Sequence, residues 1–178
     1  MGYSSAGVVE ECGVVVTEFS PRDRVACMGQ GFASHAEFVS VPANLTCLIP
    51  EGVSEEQASF GMLGVIALHG IRCAGLLFGS RVVVMGLGLL GLLTIQMLRA
   101  YGCQVMAMDP AEDKVDLANK LGFRDVVSDP SKLQNLTQSK TRAFGADAVL
   151  ITAATKKRDP VDQAIQLCRS KGKIVVVG

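Results

Sequence analysis

Apolar positions along the chain change their spacing twice. Up to residue 53 they come in short runs separated by turn residues. Ala6 to Glu10 and Arg24 to Met28 read as short strands, and His35 to Val41 alternates in the manner of a half-buried strand. Pro21-Arg22-Asp23 marks a turn, Gly29 to Gly31 a flexible loop, and Pro42 and Pro50 bound the segment that follows. This all-β portion is expected to be part of a small barrel. At Ser54 the spacing lengthens. Ser54-Glu-Glu-Gln57 has the form of a capping box, in which serine and glutamine satisfy a helix start reciprocally. Apolar residues then recur at helical intervals through Leu63, Ile66, Ala67 and Ile71, so Ser54 to Leu77 predicts one or two helices.

From residue 81 strands and helices alternate. Val82 to Met85 is a short, β-branched apolar run, and Leu89 to Tyr101 has the length and leucine content of a helix. Gln104 to Met108 reads as a strand and Ala111 to Leu121 as an amphipathic helix stopped by Gly122. Asp125 to Ser128 is a short strand, and Ser131 to Phe144 a helix ended by Gly145. Asp147 to Ala153 is a strand, Pro160 to Ser170 a helix ended by Gly172, and Lys173 to Val177 a strand. Five strands with helices between them predict an α/β fold, a doubly wound parallel sheet with right-handed crossovers in the order 3-2-1-4-5. Two domains are expected, residues 1–53 and 54–178. Asp-Pro occurs at three helix starts, and Asp129 and Asp159 read as N-caps with proline at the first helical position.

The turn after the first of these strands carries the chemistry. Gly86, Gly88 and Gly91 have the G-x-G-x-x-G spacing. The first glycine makes the sharp turn, the second lets the backbone approach a pyrophosphate, and the third lets the helix lie close to the strand. Leu89 and Leu90 open that helix, whose unpaired N–H groups and partial positive charge face the phosphates. Spacing alone fits equally a tight turn that binds nothing. Context favours a dinucleotide: the second strand ends in Asp109, about 20 residues on, where a carboxylate accepts hydrogen bonds from the adenosine ribose. Asp109 also fits a capping role.

Composition removes alternatives. Formal net charge is zero with Lys and Arg scattered, so no basic footprint points to nucleic acid. The six cysteines form no C-x-x-C pair or cluster, and buried free thiols in a reducing compartment are expected. The N-terminus lacks the basic and apolar regions of a signal peptide. The greasiest segment, Val82 to Leu98, is too short and too interrupted by glycine to span a bilayer. A cytoplasmic protein with no membrane partner is expected.

Several segments in order resemble the medium-chain dehydrogenase/reductases, which include the zinc-type alcohol and polyol dehydrogenases. Gly2-Tyr-Ser-Ser-Ala-Gly-Val-Val-Glu resembles the family's G-H-E-x-x-G-x-V segment, and Asp23-Arg-Val its G-D-R-V turn. His35-Ala-Glu-Phe-Val-Ser-Val-Pro resembles its Y-A-E-Y-x-x-V-P strand. Gly86 to Gly91, Asp109, Lys114, Gly145-Ala-Asp and Gly172-Lys-Ile-Val-Val-Val-Gly fit the cofactor domain. The resemblance implies a GroES-like barrel beside a Rossmann domain, NAD as cofactor, and hydride transfer at a small alcohol or carbonyl compound. It also implies Lys114 as a second ribose contact, although a solvated helix lysine fits as well. Where zinc-type members place a histidine and glutamate, this chain has Tyr3 and Ser4. Met62, Leu63 and Gly64 stand near the second cysteine ligand, and the four-cysteine lobe is missing. No metal is therefore expected. No catalytic residue is assigned: His35 and His69 fit packed or surface positions, and Tyr3 fits a buried tyrosine as well as a proton donor. The resemblance also implies further barrel strands before residue 1 and a sixth strand after Gly178, so a partial chain is expected. Its sheet edge, Ile174 to Val177, would then favour self-association or homo-oligomers. The rival expectation is a dinucleotide-binding or regulatory module without catalysis.

Overall fold

The computed structural model describes residues 2–154 and 158–177, and the chain divides into two compact units, Met1–Val65 and Ile66–Gly178. In the first unit β1 (Ser4–Val8), β2 (Arg24–Met28) and β3 (Thr46–Leu48) form an antiparallel sheet in that order. Ala6 lies opposite Ala26, and Val25 opposite Leu48. Val25, Cys27 and Ala33 are buried, with Val9, Phe19 and Val41 packed over them. His35 to Val41 does not form the expected strand. It runs as bends outside any ladder, with Phe38 75% exposed. Alternation makes a strand only where a neighbour supplies backbone partners, and neither β1 nor β3 pairs with this segment.

The capping box forms as its sequence predicts. The Ser54 hydroxyl accepts from the Gln57 N–H at 3.2 Å, and the Gln57 side-chain oxygen accepts from the Ser54 N–H at 3.1 Å. The helical stretch is two helices, α1 (Glu55–Ala58) and α2 (Gly61–Ala74), and the division between the units falls inside α2.

The second unit is the doubly wound sheet. Strands β4 (Arg81–Met85), β5 (Gln104–Met108), β6 (Val126–Val127), β7 (Ala146–Ile151) and β8 (Cys168–Val176) pair in the order β6-β5-β4-β7-β8, all parallel. Helices α3 (Leu89–Ala100), α4 (Glu112–Lys120), α5 (Pro130–Thr141) and α6 (Asp159–Leu167) connect them. Strand alternation sends successive side chains to opposite faces, and both faces are apolar. Val82, Val84, Ala107 and Leu150 pack with Ile95, Leu98 and Ala118 on one side. Val83, Met85, Met106 and Val149 pack with Leu133, Ala164 and Leu167 on the other.

Three local expectations change. The last helix ends at Leu167 rather than Ser170, and the chain enters β8 at once. Ala146 pairs with Cys168 but Ala148 with Lys173, so Arg169 to Gly172 bulge out of register and Gly172 lies within the strand. Asp159 is the first helical residue, and its predecessor Arg158 is the N-cap, making no side-chain cap bond. Asp129 caps α5 as expected, accepting from the Ser131 and Lys132 N–H groups. Finally, all six cysteines are free, but only Cys27 and Cys103 are buried. Cys47 and Cys73 are exposed. Burial pushes the thiols of Cys27 and Cys103 above their ordinary pKa.

Candidate functional site

In the β6-β5-β4-β7-β8 order the crossovers reverse direction between β4 and β7. The carboxyl ends of those two strands are where an open α/β sheet presents its ligand crevice. The glycine turn lies there. Gly86 leaves β4 with φ of 102°, a left-handed conformation that suits glycine, and donates its N–H to Met108 O at 2.8 Å. A Cβ on Gly91 would run into the Gly86 carbonyl, so α3 lies as close to the turn as a backbone can.

Gly88 differs from both. Its φ is −65° and nothing lies within 4 Å of a Cβ built on it. Neither backbone strain nor packing inside the chain requires glycine at that position. A backbone surface that must be approached closely from outside does. Gly88 is also the N-cap of α3, which starts without a side-chain cap and without an acid in its first turn. The unpaired N–H groups of this end therefore remain available to an anion. Leu89 is half exposed beside it, Leu90 partly buried, and Gly91 buried.

Asp109 stands beside the turn but faces inward. It is 4% exposed. Its Oδ2 accepts from the Leu87 N–H at 2.7 Å, and its Oδ1 from the Ala111 N–H at 3.0 Å. It does not cap α4, whose N-cap is Ala111. The Lys114 ammonium, on the first turn of α4, lies 3.4 Å from Oδ2 and is 43% exposed. Asp109 thus ties the glycine turn to the end of β5, with Lys114 closing the pair from the solvent side.

Sequence reading missed Thr152. At the end of β7 its hydroxyl donates to Gly86 O at 2.8 Å and lies 3.2 Å from Met85 O, and its N–H donates to Met85 O at 2.9 Å. It pins the carbonyl side of the turn while Asp109 pins the N–H side. The available signal was a lone hydroxyl residue at the carboxyl end of the strand next to β4.

The segment that resembles the family's metal-binding stretch makes local backbone contacts. Tyr3 is 42% exposed rather than buried. The Ser4 hydroxyl donates to Ser59 O at 2.6 Å and accepts from the Met62 N–H at 3.3 Å. His69 lies 3.6 Å from the Cys73 sulfur on the exposed side of α2. Among the described residues no group of three His, Cys, Asp or Glu side chains is placed to hold a metal ion. Among the described residues no helix is long and apolar enough to cross a membrane.

A parallel sheet covered on both faces, with a glycine turn at its switch point, defines the Rossmann class. A profile of the zinc-binding dehydrogenase family matches residues 90–178. An alcohol dehydrogenase of Geobacillus stearothermophilus is 29% identical, covering 99% of this chain and 60% of the relative. The crystal structure of 2R,3R-butanediol dehydrogenase from Bacillus subtilis gives a TM-score of 0.81 at 27% identity, over 97% of this chain and 56% of that one. A mycobacterial protein solved in complex with NADPH gives 0.83 at 25% identity, over 99% of this chain and 56% of its own. The chain belongs to the zinc-binding dehydrogenase family, within the medium-chain dehydrogenases. It spans between a half and two thirds of the length of these relatives.

Proposed function

We propose that the glycine turn holds the pyrophosphate of a nicotinamide dinucleotide, and that this chain is the coenzyme-binding part of an oxidoreductase. The reaction is hydride transfer between the nicotinamide and a small alcohol or carbonyl compound, without catalytic zinc. Gly88 carries the reading: it is open to solvent between two glycines that the fold itself requires, at the switch point of the sheet. The relative solved with NADPH supports the coenzyme class. When bound, the coenzyme supplies the hydride donor or acceptor, and the chain's residues bind and orient it. In this reading the N–H groups of Leu89, Leu90 and Gly91 meet the phosphates. Thr152 and Asp109 hold the turn in shape. Lys114 and Asp109 are the ribose contacts in this reading, and the inward-turned Asp109 carboxylate, with two backbone bonds and an ammonium already on it, keeps limited acceptor capacity for a ribose hydroxyl. A carboxylate there with no arginine following it favours NAD over NADP. Residues 1–53 belong in this reading to a GroES-like barrel, 54–178 to the coenzyme domain, and the compartment is the cytoplasm.

Tyr3 and Ser4 support zinc-free chemistry, because Ser4 is spent on Ser59 and Met62. The same observation favours a second reading, a dinucleotide-binding module without catalysis. Calorimetric titration with NADH and NADPH, beside NADH turnover with a panel of aldehydes and quinones, separates these readings. Tighter NADH binding with turnover supports the first, and binding without turnover the second. Equal or tighter NADPH binding overturns the role given to Asp109.

A further inference from the structure

The amino ends of β4 and β5 border a cavity of about 230 Å³ lined by Arg81, Gln104, Val105, Met106, Asp125 and Lys140. It lies at the opposite end of the sheet from the glycine turn. Arg81 opens β4 and Gly86 follows its last residue, five positions on, roughly 16 Å at strand rise. Among the described residues, Arg81 Nε is the one buried side-chain nitrogen or oxygen without a hydrogen-bond partner. Buried guanidinium donors are normally satisfied, and none of the described residues satisfies this one.

The charges around it are consistent with that. The neighbouring carboxylate Asp147 is taken by others: its Oδ2 accepts the Arg81 backbone N–H at 2.8 Å, and its Oδ1 the Arg169 Nε at 2.7 Å. Asp125 is paired with Lys140 at 2.8 Å. Of the three charged residues in the lining, Arg81 is the one whose side chain makes no hydrogen bond or close ion pair among the described residues, although its charge also acts on Asp147. Lys140 spends one of its three ammonium protons on Asp125, and Gln104 adds an amide donor.

We propose that this cavity is an anion site for inorganic phosphate or a phosphate monoester, held between the Arg81 guanidinium and the Lys140 ammonium. Arginine offers a planar fork matched to phosphate oxygens, and two cations suit a doubly charged ligand better than a single carboxylate. The cavity is smaller than a drug-sized pocket, which limits the ligand to a small group. Val105 and Met106 provide an apolar wall that weakens competition from water. Asp125 opposes the anion, so the affinity is modest and depends on both cations.

The Arg81 Nε–H resonance, observed by ¹⁵N NMR in the intact chain, is the direct probe. Inorganic phosphate and glycerol phosphate are titrated in separate arms at constant ionic strength, with chloride as the control. The two arms show whether the free or the esterified anion is preferred. Phosphate is expected to shift this resonance saturably, and calorimetry should show at least tenfold weaker binding to Arg81→Gln. Lys140→Met should weaken it several-fold. Arg81→Gln keeps the backbone bond to Asp147, so the fold is retained, and circular dichroism checks this. Gly88→Val, which blocks the other candidate anion site, should leave phosphate affinity unchanged. An Nε–H signal that responds to chloride as it does to phosphate would overturn the proposal. So would undiminished binding to Arg81→Gln, or loss of binding in Gly88→Val.

Discussion

Replacing Gly91 by alanine tests whether the turn is packed as tightly as its geometry implies. The added Cβ meets the Gly86 carbonyl oxygen, with Gly86 C and Thr152 Oγ1 each at 2.9 Å. Two of those three atoms are backbone, and the third is tied by its own hydrogen bonds, so no flexible side chain can yield. Overpacking of this kind costs typically about 1–3 kcal/mol. Alanine recovers about 1 kcal/mol through helix propensity. Because the clash is with backbone, the upper end of the range applies and the net loss is about 2 kcal/mol. For a chain of this size that lowers Tm by about 4–8 °C. Gly88→Ala is the matched control: its Cβ enters open space at an ordinary φ, so only the weaker N-cap preference of alanine, under about 1 kcal/mol, is lost. Both are read by thermal melts followed by circular dichroism. A Gly91→Ala protein that melts with the parent would refute the packing argument, and equal losses in the two variants would refute the distinction between the glycines.

Asp109→Ala leaves the Leu87 and Ala111 N–H groups without their acceptor and should cost about 2 kcal/mol in urea unfolding. Asp109→Asn, which keeps one acceptor, should lose less, and parental stability in the alanine variant would show that the carboxylate does not hold the turn. Burial raises the Asp147 pKa, but the Arg81 backbone N–H and the Arg169 guanidinium outweigh it, so the carboxyl sits below its ordinary value. A lowered folded pKa gives stability that is full above about pH 4 and lost as pH falls through the folded value. The Tm advantage of the parent over Asp147→Asn should therefore shrink as pH falls below about 4, whereas parallel curves would contradict the ion pair. Strand β8 pairs only with β7 among the described residues, and its Val176 is 69% exposed. Light scattering should detect self-association that Val176→Lys reduces, and a monodisperse chain unaffected by that change would mean the edge is covered.

The sheet was legible because its strands are continuous apolar runs bounded by turn residues, and a run buried on both faces has few other readings. Strand order followed from crossover handedness. His35 to Val41 misled because its alternation carries no information about a partner strand. The end of α6 misled because Arg169 to Gly172 are polar and helix-compatible, while the bulge they form is set by pairing with Ala146 and Ala148. Arg158 took the cap expected of Asp159, a shift of one residue that composition does not encode. At the site, the three glycines were found from spacing. The bonds from Asp109 to Leu87 and from Thr152 to Gly86 span 22 and 66 residues and exist only once β4, β5 and β7 are in register.

The central claim is that the Gly86–Gly91 turn receives a dinucleotide from outside, at Gly88. Fluorescence titration of NADH into the parent and into Gly88→Val tests it most directly. The account predicts saturable binding to the parent and at least tenfold weaker binding to the variant, with the melting temperature lowered by only a few degrees because Gly88 faces open space and only its N-cap role is weakened. No saturable binding to the parent, or equal affinity in the two proteins, would contradict it.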